Sequence, residues 1–218
     1  MKKIGVVLSG SGARDGSEIH EATLTLLFLD KAGVEVEYMA PDIEQYELIN
    51  HLTGQKVEKQ KRNVLEESAR IVHGKIKDIS HVKPSELDGI IFPGGLGVTK
   101  NLCNYIVEGI NCKVNQEVEK IIRKMHQENK PLGFICLAPL VAAKVLGEYH
   151  PQLTIGNKEV LSENIEKMGG KHIVCEAGEI VVDEKNKIVT TPTYMMGKNI
   201  SQIAEGIEKL VNKVLKLI

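Results

Sequence analysis

The 218-residue chain has no excess of either charge: 28 Lys+Arg stand against 29 Asp+Glu, a net charge of −1. This near-balance removes the electrostatic reason to expect nucleic acid or an anionic membrane as partner. No apolar run approaches the roughly 18–20 residues of a transmembrane helix. The opening Met1-Lys2-Lys3 followed by apolar residues resembles a signal peptide only superficially. Its apolar stretch is too short, and Gly10, Arg14 and Asp15 follow at once. The segment reads as a first strand, and a cytoplasmic protein is expected. The four cysteines, Cys103, Cys112, Cys136 and Cys175, form no CxxC pair, so neither a zinc site nor a disulfide framework is expected. There is no HExxH, no acidic cluster of metal-site type and no GxGxxG or P-loop fingerprint. No metal or cofactor is expected. Repeats, low-complexity tracts and Pro/Gly/Ser linkers are also missing, which makes one domain the economical reading.

What is present alternates. Ile4–Leu8, Ile90–Pro93 and Leu132–Ile135 are continuous apolar runs, the mark of strands buried on both faces. Val34–Ala40 alternates as a further strand. Ile180–Val182 and Ile188–Thr190 flank a charged turn and predict a hairpin. Helical spacing covers 17–31, 62–72, 115–127 with Asn115 as cap, 138–146 with Pro139 in its first turn, 159–168 and 199–218. Asp42 is placed to cap a short helix. Strands alternating with helices predict an α/β fold, a mostly parallel sheet with helices on both faces, plus a C-terminal hairpin and helix. In such sheets ligands bind beyond the carboxyl ends of strands. Three segments lie there: Ser9–Glu18, Pro93–Lys100 and Cys136–Pro139.

Cys136 follows a buried strand and precedes a helix. That position suits a nucleophile whose thiolate is favoured by the helix N-terminus; it also suits a buried thiol serving as a small hydrophobe. Pro93-Gly94-Gly95 can bring backbone N–H groups close to a ligand, so the N–H groups of Gly95 and Leu137 are candidates for holding an oxyanion. It can equally be a plain glycine turn. Glu18, where the first loop enters the first helix, can exchange a proton with a thiol or simply offset the helix dipole. Arg14 can meet an anionic group or lie solvated in its loop. Nothing in spacing selects any of the seven histidines.

Together, the Pro93-Gly94-Gly95 turn, the strand–Cys136–helix turn and Glu18 resemble the class I glutamine-amidotransferase-like superfamily in its PfpI-type branch. Nearer still is the ElbB family, named for enhancing lycopene biosynthesis. The matching segments span nearly the whole chain: 2–10, 15–21, 49–54, 62–65, 100–102, 130–134 and 186–192. The resemblance implies a flavodoxin-like sandwich formed by residues 1–218 as a single domain, with 44–76 a family-specific insertion able to cover the site. It implies a homodimer and a glutathione-independent glyoxalase- or deglycase-like activity on small aldehydes, dicarbonyls or glycated substrates. It maps the nucleophile to Cys136 and the acid/base to Glu18, with Gly94, Arg14 and Asn101 as substrate-binding candidates. Leu137 stands where the wider branch has His, Phe134 where it has Gly, and His172 lacks the His-x-Glu partner of glutaminases. Two other readings therefore stay open: a non-catalytic redox sensor using a low-pKa Cys136, and an amidotransferase or amidase that needs a partner.

Overall fold

Stretches in which every side chain is apolar have nowhere to go but the middle of a layered structure. The computed structural model, which describes residues 1–218, puts them there. Strands β1 (Lys3–Val7), β2 (Glu35–Ala40), β3 (Lys77–Asp78), β4 (Gly89–Phe92), β5 (Leu132–Ile135), β8 (Val181–Asp183) and β9 (Ile188–Thr191) form one seven-stranded sheet. Its order is β3-β2-β1-β4-β5-β9-β8, and only the β8–β9 hairpin is antiparallel. The remaining strands, β6 (Gln152–Leu153) and β7 (Lys171–His172), pair in parallel as a separate ribbon.

Alternation along the strands divides the core in two. Ile90, Phe92, Leu132 and Phe134 point to a face covered by α4 (Gln116–Gln127), α5 (Pro139–Leu146) and α6 (Glu159–Lys167). Ile4, Val6, Ile91 and Ile135 point to the other, covered by α1 (Ile19–Lys31), α2 (Val64–Ala69) and α7 (Ile200–Leu217). The expected flavodoxin-like α/β fold is thus the observed one. Asn115 caps α4 through its side chain, accepting from the N–H groups of Glu117 and Val118. Asp42 begins no helix; its carboxylate accepts from the Asn63 amide at 2.6 Å, and Asn63 is the cap of α2. A four-residue helix, α3 (Tyr105–Glu108), follows a π-helical turn at Val98–Leu102.

Chain order reverses between β1 and β4, so the loops after β1, β4 and β5 meet at one edge, the place where such sheets hold ligands. The segment after β2 runs out and back across this edge. Glu44 bridges Asn63, and Ile49 bridges Lys56. It is fastened below by the Ile49 N–H on Asp15 (2.7 Å), the Tyr46 N–H on Asn101 (3.0 Å) and a Lys100–Glu47 ion pair of 2.6 Å.

Candidate active site

β5 ends at Ile135, and the chain must reverse at once to start α5. Cys136 makes that turn in the left-handed region, φ 61°, donating its N–H to the Thr191 carbonyl at 3.0 Å while the Ala138 N–H bonds Ile135 at 3.0 Å. For a residue with a Cβ this conformation costs about 1–3 kcal/mol, and it persists only where surrounding structure enforces it. The strain aims the side chain back over the sheet edge.

The carboxyl group that meets the Cys136 sulfur belongs to Glu21, not Glu18. Glu18 is the N-cap of α1: its Oε2 accepts from the Glu21 N–H at 2.8 Å, and its other oxygen lies 4.0 Å from His20 Nδ1. The groups that face the sulfur are Glu21, Thr193 and the Gly95 N–H, and Glu18 is not among them. Glu21, one turn on, is completely buried (0% exposed). It accepts from the Gly94 N–H at 3.0 Å and from the Thr193 hydroxyl at 2.5 Å. Burial, with the Glu18 charge adding, pushes its pKa up to about 7 despite these donors.

Thr193 is itself unusual, a buried β-branched residue at φ 41° just past β9. Gly94 has room for no side chain, since a Cβ there would collide with Cys136 and with the Glu21 carboxyl. Gly95, at φ +102°, passes tight against Gly16 and Ser17, and its N–H points at the Cys136 sulfur. Cys136 is 5% exposed, and burial together with the facing Glu21 pushes the thiol pKa well up. A thiolate favoured by the start of α5 is therefore corrected to a resting thiol beside a carboxyl group that titrates near neutrality.

The other expected residues are placed as follows. Leu137 lies in the turn beside Cys136, half-buried between the two cores. Asn101 is wholly engaged in holding loops together: its amide N–H groups go to the Ser9 and Asp15 carbonyls (2.8 and 2.9 Å), and its oxygen accepts from the Tyr46 N–H. This corrects its assignment as a substrate contact. Arg14 is exposed, its backbone tied to His51 and Lys100 and its guanidinium beside Gly54. His172 uses Nε2 on the Ile155 N–H, His150 bonds the Gly169 carbonyl, and His126 meets Asn186.

The arrangement of a strained cysteine on the strand-to-helix turn, a buried glutamate from α1 and a glycine turn after β4 agrees with a match of residues 7–196 to the DJ-1/PfpI family model. The chain belongs to the DJ-1/PfpI family. Similar proteins include the human glutamine amidotransferase-like class 1 domain-containing protein 3, mitochondrial, which is 44% identical across 99% of this chain and 83% of its own length. The zebrafish (Danio rerio) ES1 protein, mitochondrial, is 34% identical across 98% and 85%. Among solved structures, an isoprenoid biosynthesis protein with an amidotransferase-like domain from Ehrlichia chaffeensis superposes with a TM-score of 0.92 at 33% identity, covering 99% of this chain and all of that one. The expectation of a cytoplasmic protein is corrected by these comparisons. The human and zebrafish relatives are named mitochondrial proteins, as is the rat ES1 protein homolog, 42% identical across 99% of this chain and 84% of its own length. The expectation rested on reading the short N-terminal apolar stretch as a strand rather than a signal peptide, and that reading does not distinguish one aqueous compartment from another.

Proposed function

We propose that the chain is a glutathione-independent glyoxalase- or deglycase-like enzyme in which Cys136 is the nucleophile and Glu21 the acid/base. The observation that carries this reading is the Glu21 carboxyl, buried against the Cys136 sulfur with a pKa of about 7. A group titrating at the working pH can both take and return a proton.

Ionised Glu21 takes the thiol proton as sulfur adds to one aldehyde carbon of glyoxal, giving a hemithioacetal. The N–H groups of Gly95 and Leu137 hold the developing oxyanion. Glu21 then moves a proton from the sulfur-bearing carbon to its neighbour. The first carbon is oxidised to a thioester and the second reduced to an alcohol, so no outside oxidant enters. Water releases glycolate and restores the thiol. Glu18, whose carboxylate stands between the helix N-terminus and His20, raises the Glu21 pKa but takes no proton from substrate.

The test is glyoxal turnover by wild type, Cys136→Ala, Glu21→Gln and Glu18→Gln. Cys136→Ala should abolish turnover, Glu21→Gln should lower kcat about 10²–10⁴-fold, and Glu18→Gln should stay within a few fold. Equal rates in wild type and Cys136→Ala would overturn the reading. The thiol held protonated by burial favours this reading over an oxidant sensor, which needs a standing thiolate.

A further inference from the structure

A second pair of thiols lies apart from Cys136. Cys103 and Cys112 bracket the turn formed by α3 and the 3-10 turn Gly109–Asn111. The ends of that turn are clamped: Cys103 bridges Val114, the Asn104 N–H bonds the Lys113 carbonyl at 3.2 Å, and the Lys113 N–H bonds Asn104 Oδ1 at 2.6 Å. Within the clamp the two thiols neighbour each other, both buried.

Their surroundings differ. Cys103 faces inward, its sulfur 3.4 Å from the Val98 carbonyl. Cys112 lines a cavity of about 540 Å³ whose cations are Lys113, Arg123 and Lys144. Arg123 is spent on Glu119 and Glu148, at 2.9 and 2.8 Å. Lys144 touches only the Ile110 carbonyl (2.9 Å), and neither it nor Lys113 has a carboxylate partner. Glu119, the carboxylate that lines the cavity, is held by Arg123, so the thiol and the two unpaired ammonium groups suit a small anion that reacts with sulfur.

We propose that Cys112 and Cys103 form a redox-active dithiol that closes to a disulfide by exchange with a small anionic disulfide received in this cavity, Cys112 attacking and Cys103 resolving. The Cys112 thiolate attacks one sulfur of the incoming disulfide. Its S–S bond breaks, one thiolate leaves, and Cys112 is joined to the other half. Cys103 then gives up its proton and attacks the Cys112 sulfur, the mixed disulfide breaks, and the second thiol departs. Two electrons pass from the protein pair to the small disulfide, which becomes two thiols. The division of labour follows from the site. Cys112 lines the cavity together with Lys144, whereas Cys103 faces inward on the Val98 carbonyl; in keeping with this, its Cys103 neighbour and then Lys144 bring Cys112 down to about 7, and Cys103 is pushed far up by its partner and by burial. An attacking thiol with a pKa near ambient pH is the efficient one.

The probe is oxidised glutathione, which is anionic, with dicationic cystamine as its charge control. Reduced protein is mixed with each at pH 7, quenched with acid, alkylated and mapped by peptide mass. The expected product is a Cys103–Cys112 cross-link, formed at least about fivefold faster with oxidised glutathione than with cystamine. Cys103→Ser should stop at a mixed disulfide on Cys112, and Cys112→Ser should leave Cys103 unmodified. The cross-link in the unmodified chain needs no variant, so a misfolded variant leaves the test intact. No cross-link, a first adduct on Cys103, or cystamine reacting as fast would overturn the proposal.

Discussion

Glu21 is a completely buried carboxyl group, and folding must accommodate its charge or its proton. Its pKa stands at about 7 in the folded chain against 4.5 when free, so the native state binds the proton more tightly than the unfolded state does. The resulting stability is fully present below pH 4.5 and is lost as pH rises through about 7. At 1.36 kcal/mol per unit the loss is about 3 kcal/mol. Glu21→Gln carries no such proton. Urea unfolding at pH 4.5 and pH 8 should show wild type losing about 3 kcal/mol relative to the variant over that interval. Parallel curves would show that Glu21 is not held as described. Cys136, Gly94 and Gly95 were legible in the sequence because a nucleophile on a strand-to-helix turn and glycines beside it leave a local pattern. Glu21 left a fainter one. It lies on the buried stripe with Ala22, Thr25 and Leu29, and Glu18 is an acid at a helix cap. That pairing already assigns the first carboxylate to the helix and leaves the second for the interior. Thr193 gave no local signal, since its role depends on a partner 172 residues away.

Asn caps carry the ends of three helices. Asn115 and Asn199 accept from first-turn N–H groups of α4 and α7, which pack on opposite faces of the sheet. Replacing either with Ala should cost about 1 kcal/mol. The double variant should lose their sum within about 0.5 kcal/mol, because distant sites without shared partners add; denaturant midpoints of the four proteins measure this directly. These helices, like β1, β4 and β5, were readable because each carries a full period of its pattern. The two-residue strands β3, β6 and β7 carry none. Asp42 misled because an acid after proline reads as a cap, whereas tertiary structure uses it to brace Asn63. The π-helical turn at Val98–Leu102 likewise has no periodic signature; it places Asn101 where three loop carbonyl and amide groups can be tied at once.

Across the whole molecule the out-and-back segment of 44–63 is a strap, and one ammonium group pins it. The Lys100 side chain, 8% exposed, joins Glu47 at 2.6 Å and the Arg14 carbonyl at 2.7 Å. Lys100→Met leaves a shielded carboxylate without its counter-ion. Trypsin cleavage at Lys56, Lys59, Lys61 or Arg62 should then quicken at least about tenfold, as local opening becomes cheaper. Unchanged cleavage would mean that the strap is held by its other contacts. The sulfur's neighbours come from α1, from the loop after β4 and from the end of β9, with Cys136 itself after β5. Nothing shorter than the assembled sheet brings them together. Such a centre has no partial version: a nascent chain that has reached α5 carries the cysteine but not the threonine hydroxyl, so the site is incomplete until β9 has been made and has joined the sheet.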